Sequence, residues 1–432
     1  MKMCHLAQLG AVMLLLSACV TTNNVPSDCT GARAHTDECE SLIKMATYGK
    51  QAAGFADQED YDQAIHYYEK AAELALQFKP ELYMEYTLNQ ALYAREKSKG
   101  TNVVHGLKGA LAIMQQAVPY LEKIKNNKLR AHFYNQLGST LDELADVEDN
   151  EKWSKGAIDA FKAAISNIDQ ADDPSLWADL HHSLGISYSS LYYLDRDIGN
   201  LALSQIAFNE ASKSYSEKDN LERWGMSVNA IADIDAMQAF NTKDRKAVQR
   251  AINGYSSVIT RLKNTKKFKY TYATSLHNLG ILLQEVGKWE KKKDYLEKSY
   301  GYFDKAMDIY SEEKDLMAWI NAQSNQARSV YLVALQTEDK EDFQKAARLF
   351  KNAIDNLPHD KAPIIWAKLH RRLGYVYSSY GEVFKDTAGI EYAIHYYKTA
   401  LGVYEKAGYL KEGARLHQLI NQSKLMQHEI PK

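Results

Sequence analysis

The residues with the most chemical potential in this chain are its 13 histidines, its four cysteines and two adjacent acid pairs, Asp172-Asp173 and Glu312-Glu313. Histidine and cysteine clusters hold metals, a lowered-pKa thiol is a nucleophile, and paired carboxylates can share general acid and base roles. The spacing argues against each of these. His181-His182, His277, His370 and His417 recur near one phase of a 47-residue period described below. Side chains so spaced sit on different elements, about 10 Å apart at helix-packing distances, too far to share one metal. They read as helix-face histidines that help line a groove. The acid pairs fall at turns between helical segments and read as solvated helix-start charges. The sequence has no GxxxxGK[ST] or GxGxxG phosphate loop, and no HExxH, GxSxG or CxxC. We therefore expect no catalytic residues, no metal and no cofactor.

Composition narrows the class further. The chain has 432 residues, 45% hydrophobic and 25% charged, with a formal net charge of −2. Nothing basic points to nucleic acid. Tyrosine is abundant, at 29, and proline scarce, at seven, which suits packed helices better than a loop-rich fold.

The elements that position these residues follow from a repeat. Leu-Gly occurs at Leu137-Gly138, Leu184-Gly185, Leu279-Gly280 and Leu373-Gly374, one or two periods of about 47 apart, and Ala91, Ala232 and Ala327 fill the gaps. Eight residues before these anchors stand Tyr83, Arg130, Trp177, Trp224, Tyr272, Trp319 and Trp366. Twenty-three after stand Met114, Phe161, Phe208, Tyr255, Phe303, Phe350 and Tyr397, flanked at −4 and +3 by small residues. A small-large-small triplet at offsets 0, 4 and 7 is one stripe of an α-helix. Each repeat is thus two helices: the first offers a small notch, the second fills it, and neighbouring hairpins must stack to bury what remains.

These residues resemble the tetratricopeptide repeat. Ala52, Phe55, Ala64, Tyr68 and Ala71 match its short form; the other copies are a lengthened variant with Pro174, Trp177, Ala178, Leu184 and Gly185, and again Pro363, Trp366, Ala367, Leu373 and Gly374. The resemblance implies an all-α fold, a right-handed α-solenoid of stacked helical hairpins with no β-sheet. We expect the solenoid over residues 41–427: one short hairpin about 45–79, seven hairpins of about 47 residues over 80–408, and a capping helix about 410–427, with a tail at 428–432.

In tetratricopeptide folds the first helix of each hairpin lines a concave face. Carried over, the inward rows here are Asn135, His182, Asn229, His277 and Arg371, and beside them Asn89, Gln136, Asn278, Asn325 and Arg372. Asn, Gln and His both donate and accept hydrogen bonds, so the rows suit the backbone of an extended peptide. Arg371 and Arg372 could grip a carboxylate by bidentate contacts. The bland alternative is a solvated inner face.

Lys2 begins a short positive region, and Leu6 to Leu16 is mostly apolar but too short to span a bilayer. Leu16-Ser17-Ala18-Cys19 resembles the lipobox of bacterial lipoproteins. That resemblance implies a signal peptide over 1–18, removal before Cys19, and acylation of Cys19. Val20 and Thr21, with no Asp after the cysteine, resemble outer-membrane sorting, with the chain facing the periplasm. Cys4 then leaves with the signal peptide, so Cys29 and Cys39 remain as a pair, expected to form a local disulfide within a 19–40 tether. Two free thiols, or half of a metal site, are the alternative.

The reading that follows is a non-enzymatic, lipid-anchored envelope scaffold for a protein or peptide partner. A self-associating structural solenoid is the alternative, and a hydrolase site assembled across hairpins a remote one. Replacing Cys19 by Ala should move the chain from the membrane fraction to the soluble fraction; a protein of mature size that stays with the membrane rules out lipidation.

Overall fold

Seventeen α-helices, and no strand, occur among the residues that the computed structural model describes, 37–98, 102–215, 220–360 and 362–430. They pair as antiparallel hairpins: α1 (Asp37–Asp57) with α2 (Tyr61–Phe78), α3 (Pro80–Lys97) with α4 (Val103–Ala117), α5 (Asn127–Glu148) with α6 (Glu151–Ser166), and α7 (Pro174–Asp195) with α8 (Ile198–Ser214). A second set follows: α9 (Leu221–Thr242) with α10 (Arg245–Leu262), α11 (Lys269–Trp289) with α12 (Lys293–Glu312), α13 (Leu316–Thr337) with α14 (Lys340–Asp355), and α15 (Pro363–Phe384) with α16 (Thr387–Lys406), closed by α17 (Leu410–Glu429). The chain divides into two compact units between Asn220 and Leu221. Each is an all-α stack of hairpins of the tetratricopeptide-like α-solenoid class. α1 takes in residues 37–44, so Cys39 lies on a helix rather than in a tether.

From α3 onward the first helices begin at residues 80, 127, 174, 221, 269, 316 and 363, and α17 at 410, intervals of 47 or 48. Their starts are marked chemically. Pro80, Pro174 and Pro363 occupy the first turn, where a missing N–H costs nothing. Between α11 and α12 the turn to the second helix is three residues long, with Lys291 at φ 54°; in five hairpins it is two residues long, and Asp149, Arg196, Lys243, Glu338 and Lys385 open it with φ between 49° and 62°. The next residue is a cap: the side chains of Asn150, Asp197, Asp244, Asp339 and Asp386 each accept a backbone N–H of the new helix. None of those left-handed residues is glycine, so the tight turn holds a conformation that L side chains adopt reluctantly.

The notch between paired helices carries the core. A Cβ placed on Gly138 would lie 2.8 Å from the Phe161 ring, on Gly185 2.9 Å from Phe208, on Gly280 2.8 Å from Phe303, and on Gly374 2.5 Å from Tyr397. These rings, with Tyr255 and Phe350 at the same phase, are at most 1% exposed. Burying a ring that size stabilises a fold by roughly 2–3 kcal/mol, and a glycine or alanine opposite is what lets it sit so deep. Between hairpins the cores merge. In the first unit Leu144, Ile158 and Phe161 pack with Leu176, Leu180 and Leu184; in the second Phe343, Ala347 and Phe350 pack with Leu369, Leu373 and Val376. No described helix is long and apolar enough to cross a membrane.

Gly374→Ala should lower unfolding free energy by about 1–3 kcal/mol, since overpacking outweighs the gain in helix propensity. Gly402→Ala is the control, because nothing lies within 4 Å of its added Cβ; it should raise stability by up to about 1 kcal/mol. Urea unfolding of both variants checks the pair, and equal effects would remove the notch from the account.

Candidate functional site

The inward rows lie on the first helices, but most of their side chains are already engaged. In the first unit Asn89 on α3 is 4% exposed, and its amide donates to the Glu85 carbonyl at 2.9 Å. Gln136 on α5 is buried and its Oε1 accepts from the Arg95 guanidinium at 3.4 Å, while Arg95 also pairs with Glu143. Asn135 beside it is half-buried. His182 on α7 is buried edge-on against Phe208, with ring centroids 5.2 Å apart.

In the second unit the rows join neighbouring first helices. The buried Asn229 on α9 accepts from the Ser275 hydroxyl on α11 at 2.9 Å. Asn278 on α11 donates to Asp233 on α9 at 2.9 Å, and Tyr255 donates to the same carboxylate. Asn325 on α13 donates to His277 Nε2 at 3.0 Å, which places the imidazole proton on Nδ1. Burial pulls His277 down to about 4, so it stays neutral. Gln284, fully buried, donates to the Asn325 carbonyl at 2.7 Å and the Ser329 hydroxyl at 2.6 Å, and accepts from Arg328. Arg372 donates to Ser324. Apart from the Tyr255 bond, which lies within one hairpin, the partners stand 41 to 48 residues apart in sequence, about one repeat, so each of these bonds ties a first helix to the next.

Several members of this ladder escaped the sequence reading: Asp142, Ser187, Asp233, Ser275, Gln284, Arg328 and Ser329. The signal that would have found them is a polar residue one turn beyond the small anchor, where an apolar one suits a helix packed on both sides. Asp142 and Gln284 hold that place after Gly138 and Gly280. Asp142 accepts from the Ser187 hydroxyl at 2.7 Å, and burial, with Asp146 and Glu143 nearby, pushes its carboxyl up to about 7. Burial pushes Asp233 up to about 6, opposed by its bonds to Tyr255 and Asn278.

What the ladder leaves unneutralised is at the end of the row. Arg328 pairs with Glu285 at 2.6 Å. Arg371 and Arg372 have no ion-pair partner among the described residues. The Arg371 guanidinium lies 6.0 Å from the Tyr404 ring centre, and its Nε is buried without a hydrogen bond. Burial, then Arg328 and Arg371, lowers Arg372 to about 10. Guanidiniums from α13 and α15 are therefore held close together in a partly dehydrated place, an arrangement that favours an anion.

The remaining chemical candidates are dispersed. His181 lies on Trp177 and His370 on Trp366, both at 3.8 Å between centroids, while His417 pairs with Glu405. Among the described residues no group of three His, Cys, Asp or Glu could hold a metal. Asp173 caps α7 and pairs with Lys128 at 2.6 Å, and Glu312 pairs with Lys269. Cys39 is buried and disulfide-bonded. Cys19 and Cys29 lie outside the described residues.

No protein-family model and no curated protein sequence matches the chain. Among solved structures it is similar to a Rap protein complexed with competence and sporulation factor (15% identity, 91% of this chain, 99% of that one, TM-score 0.43). It is also similar to the apo form of RapI (14%, 90% and 99%, 0.49) and to the apo quorum sensor NprR from B. thuringiensis (13%, 90% and 100%, 0.46). Likeness this loose carries no argument about function.

The ladder carboxyls make stability depend on pH. Asp142 and Asp233 titrate near 7 and 6 when folded, against an ordinary 3.8. Between those values the folded chain binds more protons than the unfolded one, so stability is greatest below pH 4 in this respect and falls as pH rises towards 7. Asp142→Asn keeps an acceptor for Ser187 and removes the buried charge. It should gain about 1 kcal/mol or more over the parent at pH 8 and little at pH 4. Urea titrations at both pH values decide; a gain of equal size at each would show that Asp142 is not the source.

Proposed function

We propose that the chain is a non-catalytic scaffold of lengthened tetratricopeptide-type hairpins that holds a protein or extended peptide on its first-helix face. Cys19 carries the lipid that places it at the outer membrane, facing the periplasm, and Cys29 closes the disulfide with Cys39. The observation that supports binding is the pair Arg371 and Arg372, side by side on α15 with Arg328 near, neither neutralised by a described carboxylate. An acidic side chain or carboxylate of the partner would supply the missing charge through two-pronged contacts. Asn89, Asn229 and His182 serve the fold, so ligand contact belongs to the far end of the row rather than to its whole length.

A second reading, self-association, is favoured by Leu410 and Leu425 on α17, which are 84% and 64% exposed. One experiment separates the two. A photocrosslinking residue at the exposed Lys368, less than one helical turn from Arg371, should yield a defined adduct in cells. The double change Arg371→Ala, Arg372→Ala should cut that adduct at least tenfold while helical content and melting persist. An adduct that ignores the arginines refutes the groove reading, and an adduct with twice the mass of the chain establishes self-association instead.

A further inference from the structure

A cleft of about 330 Å³ opens on the other side of α15, where α14 and α16 flank it. Its floor is apolar: Phe343 and Val376 are each 1% exposed. Its walls are tyrosine rings. Tyr377 and Tyr392 have centroids 5.2 Å apart at 41°, and Tyr392 is 55% exposed. Tyr380 stands edge-on to Phe343 at 6.1 Å. Such walls offer ring faces and edges to an aromatic occupant.

The rim is cationic. Arg348 is exposed and has no ion-pair partner among the described residues. Lys351 lies 5.7 Å from the Tyr377 ring centre, and Lys340 the same distance from Tyr380. The cleft also has an acid, Asp386, but it is spent on the start of α16, where it accepts from the backbone of Ala388 at 2.9 Å and Gly389 at 3.3 Å. An apolar floor, aromatic walls and an unpaired guanidinium at the mouth together select a flat apolar group joined to a negative charge. The volume is at the low end for a ligand site and admits one aromatic side chain. The mouth is open at Tyr392 and Arg348, so the rest of the occupant must run out into solvent.

We propose that this cleft seats the C-terminal aromatic residue of a partner peptide, its ring between the tyrosines and its carboxylate on Arg348. The site lies between α14, α15 and α16, on the side of α15 away from Arg371, and stands whether or not the first-helix face binds anything.

The test is fluorescence anisotropy on the full chain with dansyl-Gly-Ser-Gly-Phe as the probe, in free-acid and C-terminal amide forms. The acid should bind saturably, and the amide at least fivefold more weakly. Arg348→Glu should remove that preference by weakening the acid at least fivefold while leaving the amide unchanged. Tyr392→Ala should weaken both forms alike. Both changes are at exposed positions, and unchanged melting curves confirm an intact fold. Equal binding of acid and amide, or no saturation up to millimolar probe, overturns the proposal. So does N-acetylphenylalanine competing as strongly as the peptide, which would make the occupant a small aromatic acid.

Discussion

Each hairpin rests on a small or missing side chain opposite a large one. Where the anchor is Gly138, Gly185, Gly280 or Gly374, the aromatic of the paired helix sits within 3 Å of the space a Cβ would take. Alanine serves at Ala232, facing Tyr255, which shows that the requirement is for smallness rather than for backbone freedom. This contact fixes how deep the second helix lies. The two-residue turn then has to reach between helices already that close, which is why its first residue is forced to positive φ even when it is Arg, Lys, Asp or Glu. Its cap offsets part of that strain by satisfying an N–H that would otherwise be orphaned.

Close hairpins bring the first helices of neighbouring repeats together along faces that are not apolar. The polar ladder is the consequence. Gln284 illustrates its logic: it is wholly buried, yet its amide nitrogen and oxygen are matched by Asn325, Ser329 and Arg328. A buried amide left unmatched would cost about 1–3 kcal/mol, so a slip of one residue between hairpins is penalised at each rung. The ladder adds little net stability and much definition of register. Its acidic rungs, Asp142 and Asp233, hold their protons at pH values where surface carboxyls have lost theirs.

The period, the anchors and the aromatic stripe were legible in the sequence because each is a local choice of side-chain size repeated at one spacing. The use made of the inward rows was not. Asn278 and Asn135 look alike in sequence, but Asn278 is held by Asp233, 45 residues earlier, whereas Asn135 is half-buried and bonds to no side chain among the described residues. Whether a polar side chain meets solvent or a neighbour depends on the residue one repeat away, a pairing that single-helix patterns do not contain. His277 is the sharpest instance: a side chain suited to peptide recognition is locked neutral between Asn325 and the edge of Phe303. The cleft beside α15 was invisible for a related reason. Tyr377, Tyr380 and Tyr392 lie on two helices of one hairpin, and nothing in either helix pattern says that their rings line a gap, where Tyr392 stays 55% exposed.

α15 borders both cationic regions, supplying Arg371 and Arg372 to one and the tyrosine wall beneath Arg348 and Lys351 of α14 to the other, and helix geometry explains how. Arg371 and Tyr377 are six residues apart, roughly 120° around the axis, so one helix can serve two faces without the sites touching. Between them, Leu373 and Gly374 face the core, and the close approach of Tyr397 at Gly374 fixes the helix in rotation. Turning α15 about its axis would bury Arg371 or withdraw Tyr377, and the notch forbids both. In a chain whose formal charge is only −2, cations of α14 and α15 gathered on two sides of α15 leave the matching acids elsewhere. That local imbalance, held in place by the contact on which the hairpin itself depends, is the property that a negatively charged partner would read.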